Sequence, residues 1–177
     1  MPSLTVWIYD TPLGAEAGQR RLRRLLVAEA LHVLDAVTVT WVPGAHEPRI
    51  RQLRRTTSSV SGVSVLAALV MLLPVKSSGG RRTESRMPVL LHDVAGELRR
   101  IGIEQELLDE ISTHLGPGTS ALWVLSGDVD FDLVRPVLEH AVARGDVILR
   151  HARLTDDAPD ALRRIAEDVG SAPHPSR

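Results

Sequence analysis

The chain reads as an α+β protein, and three observations predict that class. Residues 4–42 pass through the strand-like LTVWIYD, an amphipathic helix and the strand VTVTWV; residues 120–154 repeat the order with SALWVLS, a shorter helix and VILRHARL. A tryptophan sits in the middle of both opening strands, Trp7 and Trp123, and an acidic or turn cluster follows each. Two β-α-β halves of this kind, joined in one sheet, predict a ferredoxin-like domain, here with an apolar helix and a linker inserted between the halves. The organisation expected is a first half with a hairpin over 1–55, an apolar segment over 56–75, a flexible linker over 76–87, helices and the second half over 88–156, and a C-terminal helix and tail over 157–177. At 177 residues the chain suits one domain with appendages better than two domains.

The first strand, Leu4 to Tyr9, ends in the turn Asp10-Thr-Pro-Leu-Gly. A helix is expected from near Ala15, because Leu22, Leu25, Leu26, Ala30 and Val33 recur at helical spacing with Arg20, Arg21, Arg23 and Arg24 on the other side. Val37 to Val42 alternates with threonine as a strand does. Pro43 to Pro48 then forms a hairpin turn into a short strand, Arg49 to Leu53, whose prolines and arginines suit a sheet edge. From Pro88 the pattern is helical again, Val89 to Arg100, with a break at Ile101-Gly102. A second helix runs from Glu104 to Leu115 on the stripe Leu107, Leu108, Ile111 and Leu115, and Gly116-Pro117-Gly118 stops it. In the second half Leu133, Val134, Val137, Leu138, Ala141 and Val142 mark the buried face of a helix, and Asp160 to Val169 adds a last one.

The segment Thr56 to Val75 carries no charge for 20 residues and lies between Arg54-Arg55 and Lys76. At about 1.5 Å per residue a helix of that length reaches about 30 Å, the thickness of a hydrocarbon core. Its strongly apolar part is only Val60 to Val75, with Pro74 near the end. A single crossing would put the two β-α-β halves on opposite sides of a membrane, where they share no sheet. Either the segment is a buried or interfacial helix, or it re-enters from the same side, or two chains complete the sheet. Ser61, Gly62, Ser64, Ala67 and Ala68 allow close packing in any of these settings. Lys76 to Arg86 is a polar, Gly/Ser-rich linker.

Net charge is −1, but it divides unevenly: residues 1–103 hold 14 Lys+Arg against 8 Asp+Glu, and residues 104–177 hold 7 against 14. The arginines at 20–24, 49–55 and 81–86 suit an anionic membrane surface better than nucleic acid, since there is no helix-turn-helix, RNA-binding aromatic pair or basic pI. Cysteine is absent, which excludes disulfides, thiolate metal sites and a cysteine nucleophile. The N-terminus enters a strand without the basic and apolar regions of a cleaved signal, so a cytoplasmic location is expected.

Candidate chemistry is thin. Asp128, Asp130, Asp132 and Glu139 copy the ligand spacing of an EF-hand loop, but Leu133 stands where that loop needs glycine, and Glu139 falls inside a helix. Aspartates at a helix start satisfy free N–H groups and the dipole instead. The histidines at 32, 46, 92, 114, 140, 151 and 174 form no i, i+4 pair or two-residue clip, and there is no G-x-S-x-G elbow. No catalytic, cofactor-binding or metal residue is therefore assigned, no cofactor is implied, no small-molecule ligand is identifiable and enzymatic activity is not expected. Along LTVWIY, Leu4, Val6 and Ile8 face one way and Trp7 and Tyr9 the other; in the second half Ala121, Trp123 and Leu125 alternate with Leu122 and Val124. Both faces are apolar, so the tryptophan-bearing face is expected to be covered by Val60 to Leu73 or by a second subunit.

The stretch Asp93 to Arg153 resembles the C-terminal part of the bacterial family known as domain of unknown function 1269. The likeness rests on the helix leading to Arg99-Arg100-Ile101-Gly102-Ile103 and on the junction Leu115-Gly116-Pro117-Gly118-Thr119-Ser120-Ala121-Leu122; Leu34-Asp35-Ala36-Val37-Thr38-Val39 is similar to that family's first-half strand. The family's apolar middle is typically a glycine-rich hairpin, whereas here it is a single run with one glycine. The resemblance implies a membrane-associated or stress-linked protein; with the uncharged run between basic flanks, the lack of a catalytic constellation and the apolar sheet faces, the expectation is a non-enzymatic, self-associating protein, peripheral to or inserted in the inner membrane. The competing expectation is a soluble ligand-binding or regulatory domain whose apolar segment is a core helix.

Overall fold

The computed structural model describes residues 1–55, 64–73, 88–129, 131–143, 145 and 147–171. Among them five strands form one antiparallel sheet: β1 (Ser3–Tyr9), β2 (Leu31–Thr40), β3 (Arg49–Arg55), β4 (Ser120–Val129) and β5 (Ile148–Arg153), in the order β3-β2-β4-β1-β5. Six helices accompany it: α1 (Gly14–Val27), α2 (Val65–Met71), α3 (Pro88–Arg100), α4 (Gln105–His114), α5 (Phe131–Ala143) and α6 (Ala158–Ser171). The class is α+β as the patterning predicts. The strand order is not that of the expected four-stranded ferredoxin-like sheet, because the hairpin strand β3 joins beside β2 as a fifth strand.

β4 lies between β1 and β2, the strands of the first β-α-β half; β1 lies between β4 and β5, the strands of the second. The two strands of each β-α-β unit are not hydrogen-bonded to each other but to a strand of the other unit. A single complete crossing of a membrane between β3 and α3 is incompatible with this sheet, because it would separate strands that share backbone hydrogen bonds. Among the described residues no helix is long and apolar enough to cross a membrane.

Helices cover both faces of the sheet. On one, α1 and α5 bring Ala15, Leu22, Leu25 and Val134 onto Trp7, Tyr9, Leu122 and Val124. On the other, α2, α3, α4 and α6 bring Leu66, Leu69, Leu98, Ile111 and Leu162 onto Leu4, Val6, Ile8, Val37 and Trp123. The two tryptophans do not share a face, contrary to the expectation of one tryptophan-bearing surface: Trp7 is registered with Leu122, and Trp123 with Val6. Residues directly opposite in an antiparallel pair point to the same side, so the register decides what the pattern within each strand leaves open. Both indoles are buried by the chain's own helices.

α1 stops earlier than its apolar spacing predicts. Glu29 takes a positive φ of 53°, and Ala30 N–H donates to the Leu25 carbonyl, closing the helix after Val27. Ala30 and Val33 remain in the same apolar cluster as Leu22 and Leu25, now from the turn and from β2. The helical periodicity continued past the helix because the next strand buries its residues against the same core. Val142, expected on the buried face of α5, is 47% exposed at its C-terminal end.

Most of the described part of the apolar segment packs into the core, with Met71 left exposed. Leu66, Ala68, Leu69, Val70 and Leu73 are all buried, and α2 packs against α6, β2, β3 and β4. A carboxylate holds its start: Asp35, 6% exposed on β2, accepts from the Ser64 hydroxyl at 2.7 Å and from Leu66 N–H at 3.0 Å. Ser64 in turn accepts from Ala67 N–H as the N-cap. The register of β2 against β4 shifts between Val33 and Asp35, the kind of irregularity that re-aims a side chain. The rest of the segment, 56–63 and 74–75, and the linker expected over 76–87 lie outside the described residues.

Two glycines of the family-like motifs have physical roles. Gly102 has a φ of 96°, and a Cβ there would collide with the Arg153 carbonyl oxygen. Next to it Thr155 N–H donates to the Ile101 carbonyl, tying the α3–α4 turn to the end of β5. Gly118, with a φ of 91°, donates to the Trp41 carbonyl at 2.8 Å, and Trp41 N–H returns a bond to Thr119. Ser120, fully buried, accepts from Ala15 N–H and donates to the Thr11 carbonyl, so the first residue of β4 satisfies the start of α1.

Two stability predictions follow from these contacts. Asp35→Ala strands two buried donors at about 1–3 kcal/mol each; the urea midpoint falls accordingly with an unchanged m-value, and Asp35→Asn, which keeps one acceptor oxygen, falls less. Gly102→Ala costs more than the roughly 1–2 kcal/mol of a left-handed residue, whereas Gly44→Ala, with a φ of 83° and nothing within 4 Å of its Cβ, costs only that strain. Equal losses at the two glycines in chemical denaturation would refute the Arg153 contact.

Candidate functional site

The sheet face under α1 and α5 is not uniformly apolar. Ser3, Thr5 and Trp7 of β1 point to it, and across the neighbouring strands Ser126 of β4 and His151 of β5 join them. Ser3 and Ser126 are registered opposite one another, and their hydroxyls meet at 2.8 Å. Thr5 and His151 are likewise opposite, with Oγ1 and Nδ1 at 3.1 Å. These four side chains form a short polar strip across three strands.

Beside the strip lies a cavity of about 280 Å³. Its helical wall is Leu22 and Leu25 of α1 and Val134 of α5; its floor is Trp7, Val124 and Leu149; Leu31 and Val129 close the end where β2 begins and β4 finishes. None of the described side chains lining it is Asp, Glu, Lys or Arg. Among the described residues the buried Trp7 indole N–H has no hydrogen-bond partner, a cost of about 1–3 kcal/mol, and the Trp123 indole on the opposite face is in the same condition. Burial first, and then the Arg153 guanidinium, push the His151 imidazole below its ordinary value of 6.5. The arrangement offers hydroxyl and imidazole groups at one side of a largely apolar space.

Gly14 and Gly18 set how α1 lies on this face. A Cβ at Gly14 would run into the Tyr9 ring, and one at Gly18 into its hydroxyl end. The helix therefore rests closely on the tyrosine, which is 3% exposed, while Leu22 and Leu25 one to two turns later reach the cavity.

The other residues considered from sequence are dispersed. His32 and His46 are exposed, and His114 Nδ1–H donates to the Glu110 carbonyl of its own helix at 2.8 Å. The side chains of His92 and His140, and His174, lie outside the described residues, as do the side chains of Asp128 and Asp132 and all of Asp130; Glu139 is exposed on α5. Among the described residues no group of three or more His, Asp or Glu gathers as a metal site. Sequence reasoning missed Ser3, Thr5 and Ser126. The available signal was the polar alternation within strands otherwise apolar on both faces, which marks a side with something other than packing to do.

No curated protein and no solved structure matches the chain. A family model described as a protein of unknown function, DUF1269, matches residues 61–167, from the apolar segment through most of α6. That match spans the Gly102 turn, the Gly118 junction and the second β-α-β half, and covers more than half of the chain: the protein belongs to the DUF1269 family.

Proposed function

We propose that this protein is a binding domain for a compact, uncharged, largely apolar small molecule, held between the sheet and helices α1 and α5, and that it performs no chemistry on it. The observation that carries this reading is the cavity of about 280 Å³ with one polar side and no fixed charge in its described lining. Small-molecule sites have this composition, apolar walls with a few hydrogen-bonding groups that set orientation. A ligand hydroxyl, carbonyl or amide would meet Thr5, His151 and the two serines, and its apolar body would lie on Trp7 and Leu149. The position of α2 supports the same reading, since Leu66, Ala68, Leu69, Val70 and Leu73 are occupied in the core and Met71 is the one large apolar side chain of the described segment left exposed. The order β2-β4-β1-β5 that remains when β3 is set aside interleaves two β-α-β halves, which favours a ferredoxin-like origin for the scaffold.

The Thr5–His151 contact superficially resembles a nucleophile with its base. Its electrostatics argue for recognition instead: the charged neighbour acting on His151 is Arg153, a cation that weakens the imidazole as a base, where a catalytic histidine is oriented and stabilised by a carboxylate.

The test uses 2-naphthol, octanol and octanoate as probes, in calorimetry and thermal-shift measurements on the full-length protein and on Leu149→Trp. The neutral probes are expected to bind in the micromolar to millimolar range, about −8 to −4 kcal/mol, and to lose binding in Leu149→Trp, whose larger ring fills the space from a partly exposed strand position. Absence of binding by the neutral probes, or equal binding to wild type and variant, would overturn the proposal.

A second check concerns His151 directly. Its folded pKa is depressed, so the unfolded chain protonates first as pH falls through about 6.5. The His151 contribution to stability is complete above that pH and is lost progressively as pH drops through the folded value. Thermal denaturation between neutral and mildly acidic pH should show this loss in wild type and a flatter profile in His151→Gln.

A further inference from the structure

The outward surface of α1 and the adjoining edge strand β3 concentrate positive charge that nothing in the described structure neutralises. Arg20, Arg23 and Arg24 are exposed on α1, and Arg49 and Arg51 on β3. The two elements form one surface, since the Arg51 guanidinium reaches Gln19 Oε1 of α1 at 3.4 Å. Four arginines elsewhere are paired, Arg100 with Asp157, Arg150 with Glu110, Arg163 with Asp160 and Arg164 with Glu97, while the other exposed ones, Arg99, Arg135 and Arg153, are spread over α3, α5 and β5 and form no cluster with one another in sequence. Arg20, Arg23, Arg24 and Arg49 have no ion pair among the described residues. The exposed acids of the helix, its end and the turn before β3, Glu16, Glu29 and Glu47, are too few to balance the five arginines.

Two further observations narrow the partner. Leu13, Arg20, Arg24 and Val27 fall on one outward stripe of α1 by helical spacing, opposite the buried Leu22, and its two apolar ends are 70% and 86% exposed. A stripe with arginines in the middle and bare aliphatic side chains at both ends matches an interface in which charges meet phosphates and apolar tips enter between head groups. Nucleic acid would leave Leu13 and Val27 in water. Binding to unpaired bases also lacks its usual platform, because Trp7, Tyr9, Trp41 and Trp123 are all buried.

We infer that the α1–β3 face is a docking surface for anionic phospholipid, which attaches the folded domain peripherally to a membrane. The attachment is electrostatic, reversible and salt-dependent, and needs neither a membrane-spanning segment nor an occupied cavity.

The experiment is co-sedimentation of the full-length protein with vesicles of phosphatidylcholine alone and with mixed phosphatidylcholine–phosphatidylserine vesicles, at low and high salt. Binding to the mixed vesicles at low salt, its absence on neutral vesicles and its loss at high salt are expected. With about fivefold per arginine near an anionic surface, the Arg20→Ala, Arg23→Ala, Arg24→Ala triple variant should bind about a hundredfold more weakly. Leu13→Ser with Val27→Ser should weaken binding further, while Arg163→Ala on α6 leaves it unchanged. Circular dichroism melts establish that the variants are folded; if the triple variant melts early, charge reversal at Arg49 and Arg51 on the edge strand serves in its place. No binding to the anionic vesicles, undiminished binding by the folded charge variants, or tighter binding to a random-sequence DNA duplex than to the vesicles at the same salt would overturn the inference, the last by assigning the face to nucleic acid.

Discussion

The interleaving of the two β-α-β halves is the constraint from which most of this structure follows. β4 inserts between β1 and β2, and β1 between β4 and β5, so every strand pairing except the β2–β3 hairpin joins residues at least 80 positions apart. Each half exposes unpaired strand edges until the other arrives. The same arrangement restricts what lies between the halves: whatever the chain does from 56 to 87, it leaves β3 and returns to α3 on the same molecule and the same side of any membrane. The long intervening stretch therefore acts as an insertion into one domain.

Local devices secure that insertion. Asp35 projects from an irregular point of β2 and accepts hydrogen bonds from the first residues of α2, so a buried carboxylate orients a helix of seven apolar residues. After α3, the first helix beyond the insertion, the Gly102 turn approaches the backbone at Arg153, closely enough that no side chain fits. Ser120, at the start of β4, completes the N-terminus of α1 across the interleaved strands. These contacts sit on motifs that otherwise look like simple punctuation. Their effect is to lock separate segments of sequence to each other at points where the backbone would otherwise carry unsatisfied groups.

The two faces of the sheet have been put to different uses. The face under α2, α3, α4 and α6 is a continuous apolar core. The face under α1 and α5 mixes packing with a polar strip and a cavity, and α1 is central to it: its inner side rests on Tyr9 and walls the cavity, while its outer side carries the arginines. One helix thus links a proposed ligand space to a proposed lipid surface without any residue serving both.

Much of the element order was legible in the chain because burial leaves a period: the strands at 3–9 and 120–129, the edge character of β3, the break at Gly102 and the stop at Gly116 to Gly118 all show in spacing, glycine and proline. The end of α1 was not, because Ala30 and Val33 continue a helical spacing while belonging to a turn and a strand that face the same core. Nor was the division of Trp7 and Trp123 between opposite faces, since alternation within one strand says nothing of its register with another. The arginine face was visible as composition, and the cavity only as a few serines and threonines out of pattern. What the sequence by itself determined was local: which residues favour helix or strand, which side of each is apolar, and where glycine must turn the chain. Which strands become neighbours, what covers each face, and whether an uncharged run of 20 residues serves lipid or core depend on contacts between distant segments. For residues 64–73 the tertiary structure decided in favour of the core, because α2 finds there a carboxylate to satisfy its first turn and apolar partners for its buried side.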